Sequence, residues 1–212
     1  MLPAALLLIT LCITSCSKKN DAVGTSYIKF TNAAETASPI DFYVNNKKEN
    51  DAALTYNQGT DYFAITSTTQ PALIKSSASG ATVASFQVSP QTGAYYSVYY
   101  FEGSTVAYPD DLTAPKSGKA RVRFINLNLD LIENTNFGVS AGAKVVTGLV
   151  SKVASNYYDV DPATTFSVDT NTTSTASPIL NIPTTIQAGH IYTVYLSGQS
   201  LGTLMATVSL QK

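Results

Sequence analysis

The chain holds a single histidine, His190, so a nucleophile–base pair or a zinc site that uses imidazole would have to be built around it. It lies between Gly189 and Ile191, at a turn, and no Gly-x-Ser-x-Gly elbow occurs anywhere in the sequence. His190 therefore reads as a turn residue, and no catalytic residue, metal ligand or cofactor is expected. The closest approach to a carboxylate pair is Asp159-Val160-Asp161. On a strand, alternate side chains share a face, so both carboxylates could hold one hard cation. Asp110-Asp111 is a second acidic pair. Neither has the Asp-rich loop spacing of a calcium motif, and both read as solvated surface. Glycoside hydrolysis also uses two carboxylates, but it needs a deep cleft between them.

Cysteine chemistry points elsewhere. The two cysteines are Cys12, inside an apolar stretch that runs from residue 1 to residue 14, and Cys16. The stretch is shorter than the roughly 20 apolar residues of a membrane-spanning helix and fits the apolar core of a secretory signal. It ends in Ile13-Thr14-Ser15-Cys16, which resembles the lipobox of bacterial lipoproteins: an aliphatic residue, two small ones, then cysteine. The resemblance implies cleavage before Cys16, acylation of its thiol and attachment to a membrane through the lipid. The alternative is an ordinary signal peptide with an incidental cysteine. With Cys12 removed and Cys16 acylated, the mature chain is expected to have no free thiol and no disulfide, and sheet packing must stabilise it. The expected place is the bacterial cell envelope, lipid-anchored at the outer membrane. Lys18-Lys19-Asn20-Asp21 does not decide between its periplasmic and outer faces.

Charge excludes one class of partner. Lys and Arg number 13 and Asp and Glu 14, and charged residues make up 13% of the chain, about half the usual share. Such a balance gives no basic face for nucleic acid. Tyrosine is abundant, at 13 residues, and tryptophan is absent. In residues 94–101, Tyr96, Val98 and Tyr100 share one strand face, and Tyr95, Ser97, Tyr99 and Phe101 the other. Tyr99 and its counterpart Tyr195 are the candidate surface-binding residues, able to stack on a sugar. Their other possible role is in a sheet core or a contact between modules.

The elements that would position these residues occur twice. Residues 91–103 (QTGAYYSVYYFEG) return as residues 187–198 (QAGHIYTVYLSG), with Gly, Tyr, Val and Tyr in the same order. Upstream, residues 27–32 (YIKFTN) return as residues 121–126 (RVRFIN). Phe30 then matches Phe124, Asn32 Asn126, Phe42 Phe137, Val44 Val139, Tyr62 Tyr157 and Gly93 Gly189, with Tyr96, Val98 and Tyr99 matching Tyr192, Val194 and Tyr195. Short alternating runs separated by Gly, Pro and Asn turns argue for a sandwich or barrel, and no apolar period of 3.6 residues persists in the mature part. The expected fold is all-β, two tandem immunoglobulin-like β-sandwich domains of about seven strands each. The expected boundaries are a signal peptide at 1–15, a lipidated tether at 16–26, modules at 27–108 and 120–212, and a linker at 109–119. Residues 45–51 (NNKKEND) read as a solvated loop and residues 171–177 (NTTSTAS) as a mobile hairpin tip. Gly93-x-x-Tyr96 and Gly189-x-x-Tyr192 look like tyrosine corners, whose hydroxyl bonds back to the turn.

The motif set RVRFIN at 121–126, Phe137-x-Val139, NYYDV at 156–160 and AGHIYTVYLSG at 188–198 resembles the bacterial domain of unknown function 4397 family. The first module is a looser copy, with Thr-Gly in place of Ala-Gly in the closing motif. The resemblance covers about residues 27–210 and implies a secreted, often lipid-anchored β-sandwich protein without assigned catalytic residues. The expected function is a non-catalytic envelope protein that binds or scaffolds a partner, an envelope protein or a polysaccharide. The alternative is a carbohydrate-binding accessory protein at the cell surface.

Overall fold

A computed structural model describes residues 23–37, 39–131, 135–139, 143–170, 178–183 and 186–212. Cys16, the signal segment and residues 171–177 lie outside these. The described residues form strands, with one 3-10 turn at Leu201–Thr203 and no α-helix among them.

Two sheets make the first sandwich. β1 (Thr25–Asn32), β4 (Phe63–Thr66), β7 (Tyr95–Phe101) and β8 (Ser104–Asp110) form one, in the order β4-β1-β7-β8. β2 (Ile40–Val44), β3 (Lys47–Lys48), β5 (Gln70–Ser76) and β6 (Thr82–Val88) form the other, ordered β3-β2-β5-β6. The alternation in β1 explains its placement: Ile28 and Phe30 point into the sandwich, and the Phe30 ring stacks on Phe42 at 4.1 Å.

The second half repeats this plan. β9 (Ala120–Asn126), β12 (Val153–Ala154), β13 (Tyr158–Val160), β16 (Ile191–Ser197) and β17 (Met205–Leu210) form a sheet in which β12 and β13 both pair with β9. β10 (Thr135–Val139), β11 (Lys144–Leu149), β14 (Phe166–Asp169) and β15 (Leu180–Ile182) form its partner, ordered β11-β10-β14-β15. In both halves the first strand lies parallel to the long tyrosine-bearing strand, with Phe30 opposite Val98 and Phe124 opposite Val194. The all-β sandwich expectation holds, and the matched residues of the two repeats occupy matched places. Asn32 and Asn126 show how closely: each is buried, and each Oδ1 accepts the backbone N–H two residues on, at 3.1 Å.

Both tyrosine corners are formed. The Tyr96 hydroxyl accepts the Gln91 N–H at 3.3 Å, and the Tyr192 hydroxyl accepts the Gln187 N–H at 3.2 Å. The intervening Gly93 and Gly189 have φ of +76° and +83°, a region costly for any residue with a Cβ. Removing one such hydrogen bond costs about 1 kcal/mol. Tyr96→Phe and Tyr192→Phe are each expected to lower unfolding free energy by that amount in chemical denaturation, and an unchanged midpoint in both would remove the corner's role.

Two local expectations are corrected. Residues 45–51 are not a solvated loop throughout: they carry β3, and Asn50 is buried. Its Oδ1 accepts the Phe42 N–H at 2.7 Å, and its amide donates to Asp41 and to the Ala52 carbonyl. The buried Phe42 N–H needs an acceptor, and the Asn50 side chain is drawn inward to supply it. The second correction concerns Asp110, which ends β8 and is treated below.

Candidate functional site

The sheets bearing β7 and β16 pack against each other across the junction of the two sandwiches, so each is covered on both faces. Tyr99, Phe101, Tyr108, Ile125, Leu127 and Tyr195 form a third apolar cluster there, separate from the two sandwich cores. This overturns the assignment of Tyr99 and Tyr195 as surface-binding residues. Each is 1% exposed, and their rings meet at 5.1 Å. The alternation that points Tyr96 and Val98 into one core must point Tyr99 into whatever covers the opposite face, and that is the sister module.

The contacts across this junction come in related pairs. Lys29 Nζ donates to the Leu210 carbonyl at 2.6 Å, and Arg123 Nη1 donates to the Pro109 carbonyl at 2.9 Å. Lys29 sits opposite Ser97 and Arg123 opposite Thr193, while Pro109 and Leu210 sit opposite Tyr96 and Tyr192. Each basic residue thus reaches the last strand of the other module from the same register position. Asn57 and Lys152 also correspond: both have positive φ, and each N–H donates to the paired Asn32 or Asn126 carbonyl at 2.7 Å. Asn57 Oδ1 accepts from the Tyr195 hydroxyl, and Lys152 Nζ lies 5.7 Å from the Phe101 ring centre. The two modules are therefore related by a local pseudo-twofold.

Asp110 and Arg123 are the polar centre of the junction. The Asp110 side chain is fully buried and that of Arg123 nearly so, and Arg123 Nη2 bonds to Asp110 Oδ1. Arg123 Nε donates to Thr193 Oγ1 at 3.0 Å, and Ser97 Oγ donates to Asp110 Oδ2 at 2.8 Å. The Tyr62 hydroxyl lies 2.6 Å from Asp110 Oδ2 and 2.5 Å from Gln211 Oε1. Burial, followed by the Asp110 charge, pushes the Tyr62 phenol well above the ordinary range. Asp110 is thus neither solvated nor a cation ligand, because a guanidinium and two hydroxyls take its oxygens.

The other titratable candidates are held apart. Asp159 lies 3.8 Å from Lys116 Nζ and Asp161 2.5 Å from Lys119 Nζ, so each carboxylate has its own ammonium. Among the described residues no group of three or more His, Cys, Asp or Glu could hold a metal ion. His190 is half-buried, and its Nδ1 lies 3.3 Å from the Lys212 carbonyl.

A groove opens beside the ion pair. About 700 Å³ in volume, it runs between β8 and the segment from Val153 to Tyr157, with Arg121, Arg123, Asp111, Tyr108 and Tyr157 among its walls. Arg121 donates to Asp111 Oδ2 at 2.6 Å and to the Thr113 carbonyl at 2.8 Å. Bonds from the Thr113 hydroxyl and amide, with Arg121 adding, hold the Asp111 carboxyl down at about 2. The Tyr157 ring lies 5.0 Å from the Arg121 guanidinium and 5.2 Å from that of Arg123. The Tyr108 and Tyr157 hydroxyls are both buried and have no hydrogen-bond partner among the described residues. Burial pushes the Tyr157 phenol up to about 12; the Asp111 backbone lies close enough to temper this without making a bond of normal geometry.

The sequence reading missed Arg121, Arg123, Tyr108 and Tyr157 as a group. A signal was present: in Ala120–Asn126, Val122 and Phe124 face the core, so Arg121 and Arg123 must share the other face.

The family model described as Domain of unknown function (DUF4397) matches residues 26–133, which take in the first module and the start of the second. No curated protein matches the chain. A similar solved structure is CBMbc (family CBM26) from Eubacterium rectale Amy13K in complex with maltoheptaose. It is 13% identical over 89% of this chain and 97% of that one, with a TM-score of 0.27, a likeness too low to bear on what this chain binds.

Proposed function

We propose that this chain, which belongs to the DUF4397 family, is a non-catalytic binding module of the bacterial cell envelope, held at the outer membrane by a lipid on Cys16. The observation that carries the binding role is the junction groove. It gathers guanidinium, carboxylate and tyrosine side chains from both modules around one open groove, on a body whose halves are joined by a buried ion pair and an aromatic cluster. Sites held by rigid elements keep their geometry without ordering cost on binding. The apolar run ending in Ile13-Thr14-Ser15-Cys16 supports the anchor, since acylation of its cysteine with several chains suffices for stable membrane attachment.

One experiment addresses both parts. Cells fed labelled palmitate are fractionated after brief crosslinking. The wild-type chain is expected in the membrane fraction, labelled, and in a crosslinked adduct larger than itself; Cys16→Ala is expected to lose the label completely. Label persisting in Cys16→Ala refutes the anchor, and recovery of uncrosslinked chain alone refutes the binding role.

A further inference from the structure

The pseudo-twofold places a second groove opposite the first, and the two have diverged. The counterpart holds about 220 Å³ and is lined by Lys29, Asn57, Asp61, Tyr195 and the β17 residues Thr207–Ser209. The tyrosines on this side are satisfied inside the protein: Tyr195, in the groove wall, bonds to Asn57, and Tyr62, the match of Tyr157, turns away to bond Asp110. In the wider groove, both phenols lack a partner among the described residues, and Tyr108 is only 9% exposed. A buried hydroxyl left unpaired is unfavourable, because its desolvation is not offset. One copy of the interface is closed on itself, whereas the other keeps two polar groups without an internal solution.

Resting on the reading of this chain as a binding module, we propose that the wide groove takes a neutral, hydroxyl-rich ligand, a segment of a carbohydrate chain. Charge supports the class. The arginines at the groove, Arg121 and Arg123, are matched by Asp111 and Asp110, so an oxyanion gains no net attraction there. A sugar hydroxyl both donates and accepts, and the groove walls hold both kinds of partner: the Arg121 guanidinium, with the Tyr157 phenol beneath it, against the Asp111 carboxylate. The groove also has a cheap way to open. Arg121 lies over the Tyr157 ring and is held by Asp111, which is half-exposed. The carboxylate side of this pair meets solvent, so ligand hydroxyls can compete for it. With Arg121 displaced, the Tyr157 face is free to stack on a pyranose ring and its hydroxyl is reachable, while Arg123 stays fixed by Asp110, Thr193 and the Pro109 carbonyl.

The test is depletion of the full-length chain, kept in detergent, from solution by insoluble starch, cellulose, mannan and cross-linked polygalacturonate. At least one neutral polysaccharide is expected to bind it, and the polyuronate no more tightly than that. Tyr157→Phe removes only a hydroxyl, and Asn156→Ala changes an exposed side chain at the groove rim. Each is expected to weaken binding about fivefold, the share of one hydrogen bond, with melting unchanged in Asn156→Ala and not lowered in Tyr157→Phe, which sheds an unpaired buried hydroxyl. Asp61→Asn, in the narrow groove, is expected to leave binding intact. Binding to none of the polymers, binding to the polyuronate alone, or equal binding by both groove variants overturns the proposal. If a crosslinked envelope partner is nevertheless found in cells, the binding role stands and only the carbohydrate assignment falls.

Discussion

Replacing Arg123 by alanine is expected to lower the unfolding free energy by about 3–5 kcal/mol, because it strands the buried Asp110 carboxylate without its guanidinium. Arg123 is 1% exposed and spends its hydrogens on groups from both modules: Thr193 Oγ1 on its own sheet, and the Pro109 carbonyl and Asp110 carboxylate on the opposing one. The loss is therefore felt at the junction and not within either sandwich core. Arg123→Lys is not a mild change here, since an ammonium cannot reproduce a fork that serves three acceptors. Its pseudo-twofold partner shows what a lysine does in this register: Lys29 makes the equivalent bond to the Leu210 carbonyl. It is less buried, and desolvation lowers its pKa. Arg123→Lys is expected to keep the carbonyl bond, lose the carboxylate pairing and fall between wild type and alanine. Replacing Arg123 and Asp110 together by apolar residues is expected to recover much of the loss, because the cost lies in the unpaired charge. Urea denaturation followed by tyrosine fluorescence measures all four chains. An Arg123→Ala midpoint equal to wild type would show that the pair does not hold the modules together.

Alternation made the sandwich cores legible. Ile28 and Phe30, Phe42 and Val44, and Val122 and Phe124 lie two apart in strands bounded by turn residues, and all are buried. The second faces of β1, β7, β9 and β16 were not legible for a physical reason. Lys29, Thr31, Ser97, Thr193, Arg121 and Arg123 are the residue types that a solvated face also shows, and nothing local distinguishes water from a second protein surface. Tyr99 and Tyr195 mark that difference, since tyrosine suits a wet binding face and a satisfied interior equally well. Asp110 was hidden in the same way: in sequence it is half of an exposed-looking Asp-Asp pair between two prolines, and only pairing of β8 with β7 places it beside Ser97 and across from Arg123. The internal repeat did contain the missing information. Two modules that match position for position, joined by a short connection, can satisfy equivalent surfaces by meeting through them. The grooves show where that equivalence has lapsed. Thr60 and Asp61 on the narrow side stand where Ser155 and Asn156 stand on the wide side, and Ser209 where Tyr108 stands.

Tyr99 and Tyr195 give the sharpest test of the junction, because they are matched residues of the repeat that touch each other. Each single change to alanine is expected to cost about 3–5 kcal/mol, the range for deleting a large buried aromatic. Neither ring contributes to a sandwich core: the cores are built on Val98 and Tyr100 in one module and Val194 and Leu196 in the other. The deletions should accordingly loosen the contact between modules while leaving each sandwich folded. Amide exchange would show this as faster exchange confined to β7, β8, β16 and β17 relative to the outer strands β5 and β14. The pair's own coupling, read from the double-mutant cycle, should be about 0.5–1.5 kcal/mol, as expected for tilted rings with centroids 5.1 Å apart. Additive losses would mean that the rings pack on their surroundings and not on each other. Losses below 1 kcal/mol for both single mutants would mean that the two modules do not meet through this face, and would return both tyrosines to a solvent-facing surface.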